Sequence, residues 1–92
     1  MYLEIVTPEK VLLESEVTSV IVPGVEGEFQ ILDNHAAIVS VLEKGRVKIG
    51  GSFQIEEEVQ SQFAKDGDGH TVLLIDGGIL EMKDNKAVVL AD

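Results

Sequence analysis

Short apolar runs alternate along this chain with clusters of Gly, Pro, Asp and Asn, and no stretch sustains a capped 3.6-residue period. That pattern predicts an all-β fold, a sandwich or barrel of short strands. Tyr2–Val6 reads as a first strand, closed by Thr7-Pro8 because the residue before a proline is pushed out of the helical region. Val11–Glu14 follows, and Val17–Val22, rich in β-branched residues, stops at Pro23-Gly24, with Gly27 continuing the turn. Phe29–Leu32 and Ala37–Leu42 flank the polar interruption Asp33-Asn34-His35. Glu43-Lys44-Gly45 is a hairpin link, since glycine supplies the backbone freedom such a link needs. Arg46–Ile49 alternates basic with apolar, which turns Val47 and Ile49 inward.

Ser52–Phe63 fits two templates. Phe53, Ile55, Val59 and Phe63 share strand parity, while Ile55, Val59 and Phe63 also fall four residues apart, as on one helix face. The turn signal Asp66-Gly67-Asp68-Gly69, leading straight into Thr71–Ile75, favours strand, so that both runs pair as an extended hairpin over about residues 50–76. Glu57 sits awkwardly in that register, because it falls on the side of Phe53 and Ile55. Gly77-Gly78 breaks the chain, Ile79–Met82 resumes it, Asp84-Asn85 turns, and Ala87–Leu90 ends it. The whole chain, residues 1–92, reads as a single domain.

Composition narrows the function classes. At 92 residues a chain buries only about 60–65% of the surface its unfolded form exposes, and with three Phe, one Tyr and no Trp its core rests on Val, Ile and Leu. The formal charge of -10, from 17 acidic against 7 basic residues, repels a phosphate backbone and argues against nucleic acid as a partner. The same charge favours encounter with a basic protein surface. There is no cysteine, hence no disulfide framework and no thiolate chemistry. Met1-Tyr2-Leu3-Glu4 lacks the basic and apolar regions of a secretion signal, and the nearly apolar stretch Ala36–Leu42 falls far short of the ~20 residues that span a bilayer. No direct membrane insertion is expected; work at a membrane would go through an integral partner.

Candidate chemistry is sparse. His35 and His70 are the only imidazoles, no Gly-x-Ser-x-Gly elbow is present, and no Ser or Cys is set up as an activated nucleophile. Asp66, Asp68 and His70 resemble a metal loop only loosely: the glycine and glutamate required at the sixth and twelfth positions of a calcium loop are Thr71 and Gly77 here. A plain hairpin tip is the expectation, with no metal. Glu56-Glu57-Glu58 reads as a solvated edge that discourages sheet-to-sheet aggregation. No Gly-rich phosphate cradle appears, so no cofactor and no small-molecule substrate are expected. The residues point to a docking domain without catalytic groups of its own.

Two segments carry a family resemblance when read whole. They are Val22-Pro23-Gly24-Val25-Glu26-Gly27-Glu28-Phe29-Gln30-Ile31-Leu32 with Asn34-His35-Ala36, and Gly77-Gly78-Ile79-Leu80-Glu81 through Val88-Val89-Leu90-Ala91-Asp92. Together with Leu3-Glu4-Ile5-Val6-Thr7-Pro8-Glu9 and Val17–Val22 they resemble the ε subunit of bacterial and chloroplast F-type ATP synthases, called δ in mitochondria. The resemblance covers nearly the whole chain apart from about residues 50–70. It implies a flattened β-sandwich of about ten short strands, the N-terminal domain of ε. It also implies a role as central-stalk rotor subunit that docks the γ subunit of F1 onto the c-ring loops of Fo, so that ion-driven rotation is coupled to ATP synthesis. The implied location is peripheral, on the cytoplasmic face of the bacterial inner membrane.

By the same resemblance Glu26, Gly27, Glu28 and Phe29 form the c-ring-facing loop, and Asn34, His35, Ala36, Ala37 and Ile38 face γ. For His35 the competing expectation is a loop residue that bonds local backbone. Three departures stand out. Asp33-Asn34-His35-Ala36-Ala37 replaces a Pro-Gly-His-Ala-Pro loop and loses the rigidity of its prolines; the hairpin about residues 50–70 is longer than usual; and the sequence ends at Leu90-Ala91-Asp92, where the family continues into an inhibitory α-helical hairpin. Coupling without strong ε-type inhibition is therefore the expectation, while the choice of H⁺ or Na⁺ belongs to the c-ring. Since fold alone does not settle function, a stand-alone β-sandwich adaptor or carbohydrate-binding module is the alternative.

Overall fold

Leu3 and Ile5 are fully buried while Tyr2, Glu4 and Val6 on either side are not, and a similar two-residue alternation recurs in the strands Gly45–Gly50, Gly78–Lys83 and Lys86–Ala91. The computed structural model describes residues 1–92 as ten strands. These are β1 (Tyr2–Val6), β2 (Val11–Glu16), β3 (Ser19–Gly24), β4 (Gly27–Leu32), β5 (Ile38–Leu42), β6 (Gly45–Gly50), β7 (Phe63–Lys65), β8 (Thr71–Ile75), β9 (Gly78–Lys83) and β10 (Lys86–Ala91).

The strands form one curled sheet in the order β2-β1-β10-β9-β5-β3-β6-β8-β7, with β4 on the free side of β3. It folds over into two layers, β2-β1-β10-β9-β5 facing β4-β3-β6-β8-β7, joined at the corner where Gly24 of β3 pairs with Leu42 of β5. All pairs are antiparallel except β1 with β10, which brings the first and last strands side by side. Between the layers lies a core cluster of 20 residues, all of them Leu, Ile, Val, Met or Ala, in which Leu3, Ile5, Val20, Val22, Ile31, Val47, Ile49, Leu80, Ala87 and Val89 have no exposed surface. Burying one such side chain contributes roughly 1.5–3 kcal/mol, so the flat, aromatic-poor interior gains its stability from many small contributions. Arg46–Ile49 follows its expected alternation, with Val47 and Ile49 inside.

The stretch expected as a strand over Ser52–Phe63 takes a different path. Residues 51–56 are irregular, Glu57–Gln62 form a 3₁₀ helix, and only Phe63–Lys65 pair with Thr71–Leu73. The reason lies in Glu56-Glu57-Glu58. In a strand Glu57 would face the core, whereas the 3₁₀ turn leaves all three carboxylates exposed and still sends Val59 inward. Val59 donates its amide to Glu56 O (3.0 Å), and the Gln60 side chain donates to Ile55 O (3.0 Å). Phe53, Ile55 and Phe63 pack against the same core, so parity identified the buried residues but not the backbone route.

Candidate docking edge

β3 and β4 are joined by the two-residue loop Val25-Glu26 between the paired glycines Gly24 and Gly27. Gly27 has φ 126°, a conformation open to glycine and strained for other residues. The strand thus runs through Pro23-Gly24, two residues past the expected stop. Pro23 is tolerated because pairing to β6 ends at Ile21 and pairing to β5 begins at Gly24, so its missing N–H falls in the gap. Backbone bonds stitch this tip to β5 and its exit: Val25 N–H donates to Val41 O (3.1 Å) and Glu43 N–H to Pro23 O (2.8 Å).

Phe29 is half-buried and lies over Gly24, where a Cβ would stand only 2.8 Å from its ring. Glu26 and Glu28 are exposed. The Glu28 carboxylate sits 3.6 Å from the Lys48 ammonium, and Glu26 enters no ion pair. Gly24–Phe29 and Val39–Val41 together line a shallow cleft that includes both apolar residues and the two glutamates.

The second set of sequence-derived positions lies at the other end of β5. Asn34 adopts φ 62° and donates its amide to the Asn85 side-chain oxygen (2.7 Å) in the β9–β10 turn. Asp33 accepts from the Met1 ammonium, which also stands 3.2 Å from Glu16. This contact with Asp33, aided by Glu16 and opposed by burial, holds the ammonium above its ordinary range. Asn34, His35, Ala36 and Ala37 are exposed, while Ile38 is half-buried and packs on the core. His35 makes the local bond that competed with an interface role, its Nδ1 lying 2.8 Å from Ala36 O. Because a carbonyl only accepts, that nitrogen carries the proton.

The two sets are therefore separate: β5, five residues long and spanning about 16 Å, runs between them. Of β5 only Ile38 was among the sequence-derived positions. Val39 and Val41 point outward at 69% and 57% exposure, whereas Ser40, its one polar residue, is only half-exposed on the inner parity. Pairing continues the apolar row from Val41 through Ile79, Leu90 and Val6 to Val11, with Ile79, Leu90 and Val11 each more than 40% exposed. Contiguous exposed apolar residues are the feature by which interaction surfaces are commonly recognised. The available signal was polarity inverted against the period-two alternation of Ile38–Leu42.

At the Asp66–His70 tip, Asp66 Oδ1 accepts from the amides of Asp68 and His70, both at 2.9 Å. Asp66, Asp68 and His70 bring ligand-type atoms within 4.8 Å of one another, and the turn's own hydrogen bonds account for that gathering.

Comparisons with known proteins agree with this geometry. The family described as the β-sandwich domain of the ATP synthase delta/epsilon chain matches residues 1–92. The ATP synthase epsilon chain of Chlorobium limicola is 38% identical over 90 residues, covering 98% of this chain and 86% of that relative. The epsilon chain of Campylobacter concisus is 38% identical over 92 residues, and there this chain spans 60% of the relative's length. Among solved structures, a chain of the Tetrahymena thermophila mitochondrial ATP synthase central stalk and c-ring superposes with TM-score 0.75 at 20% identity, covering 99% of this chain and 62% of that one. At that identity the likeness speaks for the fold.

Proposed function

The chain belongs to the delta/epsilon β-sandwich family of ATP synthases, and we propose that it works as a non-catalytic rotor subunit that fastens the γ subunit of F1 to the c-ring of Fo. In this role the Glu26–Phe29 tip meets the c-ring loops, and the Asn34–Ile38 loop with the outer apolar row meets γ. Ion-driven rotation of the ring is then carried into the stalk. The domain sits peripherally on the cytoplasmic face of the bacterial inner membrane, and no helix in it is long and apolar enough to cross a membrane.

The observation that carries this reading is β5. One strand, paired along its length to β9, holds the charged tip at one end and the exposed loop at the other, with two bare valines between. A torque link needs two contact sites on one stiff element, and a strand fixed by ladder bonds on a packed core provides stiffness without a hinge. Charge supports the division of partners: the acidic tip suits a basic ring loop, and complementary potentials fix register more than they add affinity. The apolar row supplies the buried area that holds a stable stalk contact.

The test is reconstitution. Added to an ATP synthase depleted of its own ε subunit, the chain restores ATP-driven ion pumping and co-purifies with γ at low and moderate salt. Absence of γ from the recovered complex at both salts would overturn the proposal.

A further inference from the structure

We infer that Lys48 is a built-in competitor for Glu28, an internal cation that restrains one tip carboxylate, leaves Glu26 to make the stronger contact, and biases the tip toward arginine. The inference rests on reading the tip as a docking edge for a basic loop, and it assigns the two carboxylates unequal parts.

Sequence treats Glu26 and Glu28 as a pair, but their surroundings differ. Glu28 is exposed, and the Lys48 ammonium lies 3.6 Å from its carboxylate. Lys48 belongs to β6 and pairs with Ile21 of β3, whose other partner, Gln30, is two residues from Glu28 on β4. Its side chain therefore reaches diagonally across β3, and at 25% exposure its stem is mostly covered. A covered stem with a wet head leaves the ammonium near Glu28 with little freedom lost. Glu26, at the apex of the two-residue loop, has no such neighbour among the ion pairs.

Glu26 and Glu28 both line the cleft with Val39–Val41, and Lys48 does not line it. A cation entering there meets one free carboxylate and one whose field is partly cancelled. A solvent-exposed ion pair adds little to folding and exchanges readily, so Lys48 is displaceable. What displaces it best is arginine, because a guanidinium grips a carboxylate through two parallel hydrogen bonds where an ammonium acts as a point charge. Lys48 thus raises the requirement for entry, and an arginine-bearing loop meets it better than a lysine-bearing one.

The test is a double-mutant cycle on the full chain. Isotope-labelled protein at low ionic strength is titrated with hexa-arginine or hexa-lysine while the amide signals of Glu26, Gly27 and Glu28 are followed. The wild type binds hexa-arginine more tightly than hexa-lysine. Lys48→Met raises both affinities, by about two- to fivefold, and narrows the gap between the peptides. Glu28→Gln costs under about twofold in the wild type but about threefold or more once Lys48 is gone, whereas Glu26→Gln costs about threefold in both backgrounds. Equal cost of Glu28→Gln in the two backgrounds overturns the inference. Lys48→Gln replaces Lys48→Met if thermal unfolding shows the latter to be misfolded. Rebinding to the depleted ATP synthase separates the two claims. Normal rebinding by Glu26→Gln and Glu28→Gln at every salt sinks the ring as the tip's partner, while the peptide cycle alone decides the role of Lys48.

Discussion

The β3–β4 tip and the Asp33–Ala37 loop stand at opposite ends of the same strand and are held in place by different means. The tip is fixed by backbone: a two-residue hairpin, a bridging pair to β5 and two further main-chain bonds. The loop has one main-chain bond of its own, from His35 N–H to Leu32 O (3.2 Å), and its other anchors are far away in sequence, the Asn85 side chain 51 residues on and the Met1 ammonium 32 residues back. Ladder bonds use the main chain, so apart from Pro23 and its two glycines the tip can vary its side chains and keep its shape. A loop that depends on such distant polar contacts keeps its position only while the partner groups remain.

The largest effect is expected where the tip joins the sheets. A Cβ on Gly24 would stand 2.8 Å from both Gly27 O and the Phe29 ring. Gly24→Ala should therefore lower stability by about 2 kcal/mol, within the range for overpacking, read as a shifted urea midpoint with an unchanged slope. Phe29→Leu in the same background should recover part of the loss by clearing the ring. A Gly24→Ala protein as stable as the wild type would mean that the tip is looser than its hydrogen bonds imply.

Next comes the surface between the two regions. Val39 and Val41 point outward and touch no core, so replacing both by serine should change folding by no more than about 0.5 kcal/mol. On the proposed function the same pair should weaken recovery of γ and ring about tenfold, equivalent to about 1.4 kcal/mol. Equal loss of folding and binding would place the valines in the scaffold and not in an interface.

This contrast explains which parts of the molecule were legible in the sequence. The Asp84-Asn85 turn was read correctly because left-handed backbone at both positions, φ 51° and 61°, suits Asp and Asn and defines a two-residue hairpin. The tip was nearly so, but its strand ends were shortened because proline inside a strand reads as a stop, and the gap between β6 and β5 that admits Pro23 is a tertiary fact. Ser52–Phe63 was misread since apolar parity is common to a strand and to a chain that dips into a core at Val59. The awkward register of Glu57 was the one local warning. His35 was visible as a motif residue, yet its bond to Ala36 O depends on a loop conformation fixed by Asn85.

A smaller change probes the loop anchor. Asn85→Gly keeps the left-handed turn and deletes the acceptor for the Asn34 amide, so it should cost about 1 kcal/mol. Asn85→Ala removes the acceptor and also places alanine at φ 61°, so it should cost more than Asn85→Gly while staying below Gly24→Ala. Hydrogen exchange at the Asn34 amide should quicken in both, while the Val25 amide, bonded to Val41 O, should not respond. Parallel quickening at Val25 would show the two ends of β5 to be one cooperative unit.

The smallest effect concerns a third way of holding a loop, the carboxylate of Asp66 clasping its own turn. Amide donation from His70, with further help from Asp68 and the His70 imidazole, outweighs partial burial and holds this carboxyl below the usual carboxylate range. A group whose pKa is depressed on folding binds its proton more readily in the unfolded chain. Its contribution is therefore complete above the unfolded carboxylate value, about 3.9, and disappears as pH falls through the lower folded value. Asp66→Asn keeps an oxygen to accept the amides but has no charge to titrate. Urea midpoints of the wild type and Asp66→Asn should differ slightly at pH 7, keep that difference down to about pH 5, and converge as the pH drops toward 2. A constant offset across the range would mean that amide geometry alone holds the turn. The β3–β4 tip, held by main-chain bonds, should show the same pattern of amide protection in both proteins throughout.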